Sequence, residues 1–227
     1  MRDWGVGKRD ELRQQQMETI KNVARRLLAQ SGPEGIVLRA IAREMGQTSS
    51  AMFRYYANRD ELLTALILDA YNDLGAHVEA TSRKFARREA HDRFIAVALS
   101  IREWAVANPH IYGLIFGTPI PGYVAPPDTI AAASRVVLVL AEIFTEVPRG
   151  KKGSRGSGFS AQHITTTVGT MLPGRSTDEQ GRALLVWSSL FGLISFELYG
   201  HFVGSVAQPK RYFEAAVNEL WVSFVAG

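Results

Sequence analysis

Apolar residues along this chain recur at three- and four-residue intervals and nowhere alternate for long, which is the period of helices. The first run sets Met17, Ile20, Val23, Ala24, Leu27 and Leu28 on one face. The segment Gln30 to Gly35, with two glycines and a proline, ends it. Two short stripes follow, Leu38-Ile41-Ala42-Met45 and Ala51-Met52-Tyr55, separated by Gly46-Gln47-Thr48. Gly46 suits the positive φ of a helix end, and Thr48 is expected to cap the next helix with its hydroxyl. A fourth helix is predicted to start at Asn58 with Glu61 as its capping-box partner. Leu62, Leu63, Leu66, Ile67, Ala70, Tyr71 and Leu74 give it one broad apolar face.

Past residue 90 the pattern predicts longer apolar helices at roughly 91–107, 109–117, 127–146, 176–203 and 209–226. Ser176 with Glu179 forms another capping box, and the glycine-rich basic stretch Pro148 to Gly158 reads as a loop. The expected fold is all-α: a three-helix head containing a helix-turn-helix, linked by a fourth helix to a helical-bundle body. The boundaries are residues 1–57 for the head, about 58–80 for the linking helix and 81–227 for the body.

The penultimate helix is apolar nearly all round, so it is buried on several sides or spans a membrane. Its length just permits a span, but Glu197 and His201 sit within it and no second span accompanies it, so no membrane role is expected. The last helix carries Phe213, Val217, Leu220, Trp221 and Phe224 at helical spacing. Two such adhesive helices predict a homodimer through a four-helix interface, with Gly192 and Gly200 allowing close approach. The plainer reading of the same stripes is an intramolecular core.

Composition adds three constraints. With 46% hydrophobic and 21% charged residues the chain is globular rather than disordered. The absence of cysteine excludes disulfides, zinc-thiolate sites and a cysteine nucleophile. Charge is placed unevenly: residues 1–60 hold 11 Lys/Arg against 7 Asp/Glu, whereas the remainder holds 15 of each. A net charge of +4 therefore sits entirely in the first quarter, which points to a polyanionic partner at that end. The amino-terminal stretch has no apolar core of a secretory signal, so a cytoplasmic location is expected.

Residues 37–56, VLRAIAREMGQTSSAMFRYY, read as helix, tight turn and second short helix. In a helix-turn-helix the second helix enters the major groove amino end first. Gln47, Thr48, Ser49 and Ser50 offer small donors and acceptors there, and Arg54 is long enough for a base edge. Arg39 and Arg59 flank them as phosphate clamps, while Ala42, Met45 and Met52 pack the two helices together. His77, His91, His110, His163 and His201 show no metal spacing, and the carboxylate pairs Asp178/Glu179 and Glu142/Glu146 read as a helix amino-terminal turn and a solvated face. No catalytic set, metal or cofactor is predicted, and the chain is read as a non-enzyme.

The stretch LRAIAREMGQTSSAMFRYYANRDELLTALI closely resembles the DNA-binding head of the TetR family of bacterial transcriptional regulators. The resemblance covers the first 75 residues, and the body's WSSLFGLISFELYG stretch resembles the carboxyl-terminal domain of one TetR subgroup. It implies DNA contacts at Thr48, Ser49, Ser50, Phe53, Arg54, Tyr55 and Arg59, supported by Arg39. Two positions depart from the family pattern: Val37 stands where a capping Ser or Thr is usual, and Phe53 lacks the usual tyrosine hydroxyl. The resemblance further implies a double-stranded operator, a repressor's role and a body cavity for a small-molecule effector. Trp104, Tyr112, Phe116, Phe144, Trp187 and Phe191 are the candidates to line that cavity, although an aromatic stripe is commonly plain core. The competing reading is a helical small-molecule-binding protein with only non-specific DNA affinity. Sequence preference in DNA binding separates the two.

Overall fold

The computed structural model describes residues 4–148 and 158–226. Its helices are α1 (Trp4–Ser31), α2 (Leu38–Glu44), α3 (Ser49–Met52), α4 (Arg59–Lys84), α5 (Ala90–Ala107), α6 (Pro109–Phe116), α7 (Thr129–Glu146), α8 (Thr166–Met171), α9 (Thr177–Leu198) and α10 (Pro209–Val225), with no strand among the described residues. The sequence-predicted loop from Pro148 to Gly158 lies almost wholly outside them. The helices divide into two compact units, one taking the chain up to Tyr71 with residues 110–130, the other the rest of the described chain.

The first unit closes around Ile20, Val23, Ala24 and Leu28 of α1, Leu38, Ile41 and Ala42 of α2, Met52 of α3, and Leu62, Leu63, Leu66 and Ile67 of α4, with Ile36 and Tyr56 between helices. These are the apolar stripes of the sequence, each buried on its own face. The unit also includes α6, which the sequence boundaries place in the body. Leu114 lies within this same core, the Tyr71 hydroxyl donates to the Ile115 carbonyl at 3.3 Å, and the Tyr71 and Phe116 rings meet edge to face at 6.1 Å. Beyond α6, Tyr123 and Thr64 share a hydroxyl hydrogen bond at 2.9 Å. The division therefore runs through α4 after Tyr71, because an apolar segment distant in sequence completes the head's core.

The second unit is organised by arginines buried among apolar helices. Arg93 on α5 donates to the Ser82 hydroxyl at 2.9 Å and to Glu146 at 2.5 Å, and pairs with Glu142 at 2.9 Å. Glu142 and Glu146 are thus more than a solvated face. Arg102 on α5 bonds both oxygens of Glu197 on α9. Arg175 donates to the carbonyls of Phe144 (2.6 Å), Thr145 (3.1 Å) and Val147, closing the carboxyl end of α7, where the last carbonyls have no helical partner. Its other nitrogen reaches Glu179 at 2.7 Å. Among the described residues α9 alone is long and apolar enough to cross a membrane; here it packs against α5 and α10.

Helix ends follow side-chain chemistry. Ser176 and Glu179 form the predicted capping box at the start of α9. α9 stops at Leu198, earlier than the predicted residue 203, because Gly200 turns left-handed at φ 78°. The His201 N–H then reaches back to the Phe196 carbonyl at 2.9 Å, the signature of a Schellman stop. α8 is absent from the sequence expectation, since six residues mixing threonines with Val168 and Met171 carry too little period to read.

Leu114→Ala is expected to cost about 2–5 kcal/mol in urea unfolding, whereas Val124→Ala, at an 86% exposed position, shifts it by no more than about 0.5 kcal/mol. For Glu179, burial raises the carboxyl's pKa, but the Ser176 backbone N–H, the Arg175 guanidinium and the Ser176 hydroxyl outweigh it and hold it below the ordinary value of 4.5. Its contribution is present above that value and disappears as the pH falls through the lowered folded pKa. Glu179→Gln should therefore flatten the acid limb of a stability-against-pH curve.

Candidate nucleic-acid interface

The turn between α2 and α3 is built on one glycine. Gly46 adopts φ 64°, its N–H meets the Arg43 carbonyl at 3.1 Å, and the Gln47 N–H reaches the Ala42 carbonyl at 2.8 Å. This is a second Schellman stop, and a side chain at Gly46 would be strained in that conformation. Ala42 and Met52 are fully buried beneath the turn, and Met45 is half-buried against them. The packing assigned to these three residues from sequence is what the structure has.

That turn presents the candidate residues as one run of chain. Thr48, Ser50, Phe53 and Arg54 are exposed, with Gln47, Ser49 and Tyr55 half-buried beside them. Phe53 leaves 56% of its surface open, unusual for a phenylalanine, and suits contact with a thymine methyl. Arg39, in the first turn of α2, is exposed too.

Three local details differ from the sequence expectation. Thr48 holds the N-cap position but its hydroxyl does not cap; it pairs with the Ser50 hydroxyl at 3.0 Å. α3 is a single turn, so Arg54 lies just beyond it, in the bend whose N–H groups still follow Ala51 and Met52. Arg59 is half-buried and turned inward: Nε donates to the Ile36 carbonyl and Nη2 to the Pro33 carbonyl, both at 2.9 Å. It ties the start of α4 to the bend after α1, which leaves only part of its fork for a phosphate. α4 itself starts on Asn58, whose side chain accepts the Glu61 N–H at 2.8 Å, while Glu61 turns back to the Ala57 N–H at 2.6 Å.

The head's positive charge separates into two groups. Lys21 and Arg25 on α1 are drawn onto Asp69 of α4 at 2.6 Å and onto Glu18 at 2.7 Å. Hydrogen bonds from Arg25 and then Lys21 hold the Glu18 carboxyl below its ordinary pKa against the effect of burial. Arg26 pairs with Glu44 at 3.1 Å. Lys8, Arg9, Arg13, Arg39, Arg43 and Arg54 stand outside these pairs and are exposed. Arg9 and Arg13 form no part of the helix-turn-helix pattern, yet they line an open cleft with Arg54 and Tyr55.

The pocket candidates are distributed between the units. Tyr112 and Phe116 lie in the first, their rings 5.0 Å apart. Trp104, Phe144, Trp187 and Phe191 lie in the second. Trp104 is buried and its indole donates to Asp73 at 2.6 Å. Phe144 and Trp187 do share a cavity, of about 50 Å³, between α7, α8 and α9 with Leu140, Val168, Met171 and Leu172. Phe191 stacks edge to face on Trp187 at 6.2 Å. Among the described residues no group of three or more His, Asp or Glu side chains is placed to hold a metal.

Comparison with known proteins covers nearly the whole chain. Residues 20–66 match the model of bacterial regulatory proteins of the tetR family, and residues 94–220 match the tetracyclin repressor-like carboxyl-terminal domain. The HTH-type transcriptional regulator Mb1846 of Mycobacterium bovis is 38% identical over 224 residues, 95% of this chain and 94% of that protein. The regulator Rv1816 of Mycobacterium tuberculosis matches to the same extent. Among solved structures, the regulatory protein SCO4313 superposes with a TM-score of 0.74 at 30% identity, covering 93% of this chain and 97% of that one. The TetR family transcriptional regulator PfmR of Thermus thermophilus shares the fold at a TM-score of 0.58 and 14% identity, over 88% and 96% of the two chains.

Replacing Arg59 by Ala leaves a fully buried residue's carbonyl, that of Ile36, without this donor, and is expected to lower the head's stability by about 1–3 kcal/mol. Arg59→Lys should recover only part of that, because an ammonium cannot reproduce a planar fork across two carbonyls. Urea unfolding of the two variants checks both statements.

Proposed function

Because this chain belongs to the TetR family of bacterial transcriptional regulators, we propose that it acts as a homodimeric repressor that leaves a palindromic operator when a small apolar ligand fills its body. The observation that carries the reading is the exposed run Thr48, Ser50, Phe53 and Arg54, set beyond a glycine turn and near the exposed Arg39. Thr48, Ser49, Ser50 and Arg54, with Gln47 and Phe53, make the base or near-base contacts. Arg39 and Tyr55 hold phosphates, and Arg59 mainly keeps the head in shape. Such a protein works in the cytoplasm, where its DNA is.

Two heads are needed to read a palindrome. One head touching a few phosphates binds with dissociation constants of order 10⁻⁴–10⁻⁶ M, and linking two makes the second contact intramolecular. The surface between α9 and α10 supports that link. Phe196, Tyr199, Tyr212 and Val222 are exposed there, around an open apolar groove of about 620 Å³ that includes Leu193 and Phe202. A side chain added at Gly192, in the groove's floor, would meet open space, so the partner's helices can come close. The effector's seat is the cavity of Phe144 and Trp187, which at about 50 Å³ must widen to admit more than a few atoms.

Binding to DNA flanking the protein's own gene, measured against scrambled duplex near physiological salt, tests the reading. Preference of about a thousandfold or more supports it; equal, salt-labile binding to both leaves a small-molecule-binding protein with a basic head. On the preferred duplex Arg54→Ala should cost about 1–3 kcal/mol and much less on scrambled DNA. Equal losses on both would reduce Arg54 to a phosphate contact.

A further inference from the structure

The first helix extends well beyond the core it serves. Its inward face begins at Met17 and continues through Ile20, Val23, Ala24 and Leu28, yet the helix runs back to Trp4, and residues 7–15 are exposed. Counting back three turns, or 11 residues, from Ile20, Val23 and Ala24 reaches Arg9, Leu12 and Arg13. Gln16 completes the same stripe at i, i+3, i+4 and i+7. The face that is apolar where it meets protein thus becomes basic and amide-bearing where the protein ends. That switch has no use in packing α1 itself.

The stripe looks onto a specific place. Arg9, Leu12, Arg13 and Gln16, with Gln15 and Asp10 at the margin, form one wall of a cleft of about 980 Å³ whose other wall is Arg54 and Tyr55. Arg13 closes its floor, its Nη1 donating to the Arg54 carbonyl at 3.1 Å. The extension is therefore held against the bend that carries Arg54, with guanidinium groups of Arg9, Arg13 and Arg54 around one opening. A concave surface with several forked cations and neutral amide donors, beside residues that read bases, fits the sugar-phosphate backbone.

We propose that the first turns of α1 are a second DNA-contacting element, in which Arg9 and Arg13 take phosphates of the strand adjoining the base pairs read by α3. Arg13 has a further part: through its bond to the Arg54 carbonyl it positions the backbone that carries the base-reading arginine. The inference rests on the DNA-binding reading given above and adds to its footprint.

The test uses the full-length chain and the duplex preferred in the flanking-DNA experiment, with the slope of log affinity against log salt as readout. Each phosphate contact contributes about 0.9 to that slope on duplex DNA. Arg9→Ala should reduce it by about 0.9 and Arg9→Ala/Arg13→Gln by about 1.8, with Arg9→Lys close to wild type because it keeps the charge. For Arg9→Ala the ratio of preferred to scrambled binding should stay within about twofold, since a phosphate contact carries no sequence. Hydroxyl-radical footprints of the double variant should lose protection at the outer edge of each half-site. An unchanged slope and footprint, with sequence preference intact in the wild type, would overturn this inference while leaving the regulator reading standing. No preference in the wild type would instead remove the reading on which it rests. Because these side chains lie outside the core, thermal melting of Arg9→Ala should match wild type; a lowered melt would assign the residue to folding and overturn the proposal.

Discussion

The left-handed bend at Gly46 is the constraint on which the reading surface depends, because it decides where α3 begins and which way its side chains face. An L side chain in that conformation is strained, and the two hydrogen bonds that close the bend fix the register of Gln47 and Thr48 against α2. With Ala42 and Met52 buried beneath it, the bend cannot tilt without opening the core. Arg59 then fastens the far side, joining the start of α4 to the carbonyls of Pro33 and Ile36. Exposure of Thr48, Ser50, Phe53 and Arg54 is a consequence of these buried contacts.

Charge in the head serves two purposes. Lys21 and Arg25 hold α1 to α4 through Asp69, within reach of Glu18. The cations of Arg39, Arg43, Arg54 and the start of α1 remain toward solvent. A net charge of +4 over the first 60 residues therefore understates the contrast between a neutralised interior seam and a positive outer surface. Steering of a polyanion depends on that outer surface alone.

The helical period made most elements legible, and so were the stop at Gly46 and the capping box of Ser176 and Glu179, since each is written in residue types within a few positions. Arrangements set by tertiary partners were not. Arg59 looks like a clamp until its fork is seen on two carbonyls. Glu142 and Glu146 look solvated until Arg93 is placed between their helix and Ser82. The membership of α6 in the first unit depends on Leu114 finding a core more than 40 residues upstream, which no local pattern records. The beginning of α1 escaped for a different reason: its inward face loses apolar character at Gln16, so a search for apolar period stops there while the helix continues. The Phe144 and Trp187 cavity was half legible, its aromatics visible and its α8 wall not.

The second unit holds Arg93, Arg102, Arg175 and Arg182 at under a tenth of their surface exposed, each against a carboxylate. Hydration of ions becomes less favourable on heating, so the cost of keeping these pairs out of water falls with temperature while apolar burial levels off. The head's ion pairs are more exposed and gain less from this. Warming therefore shifts the balance of stability toward the carboxyl-terminal unit, and heat should loosen the DNA-reading end of the molecule before the end that holds the α9–α10 face.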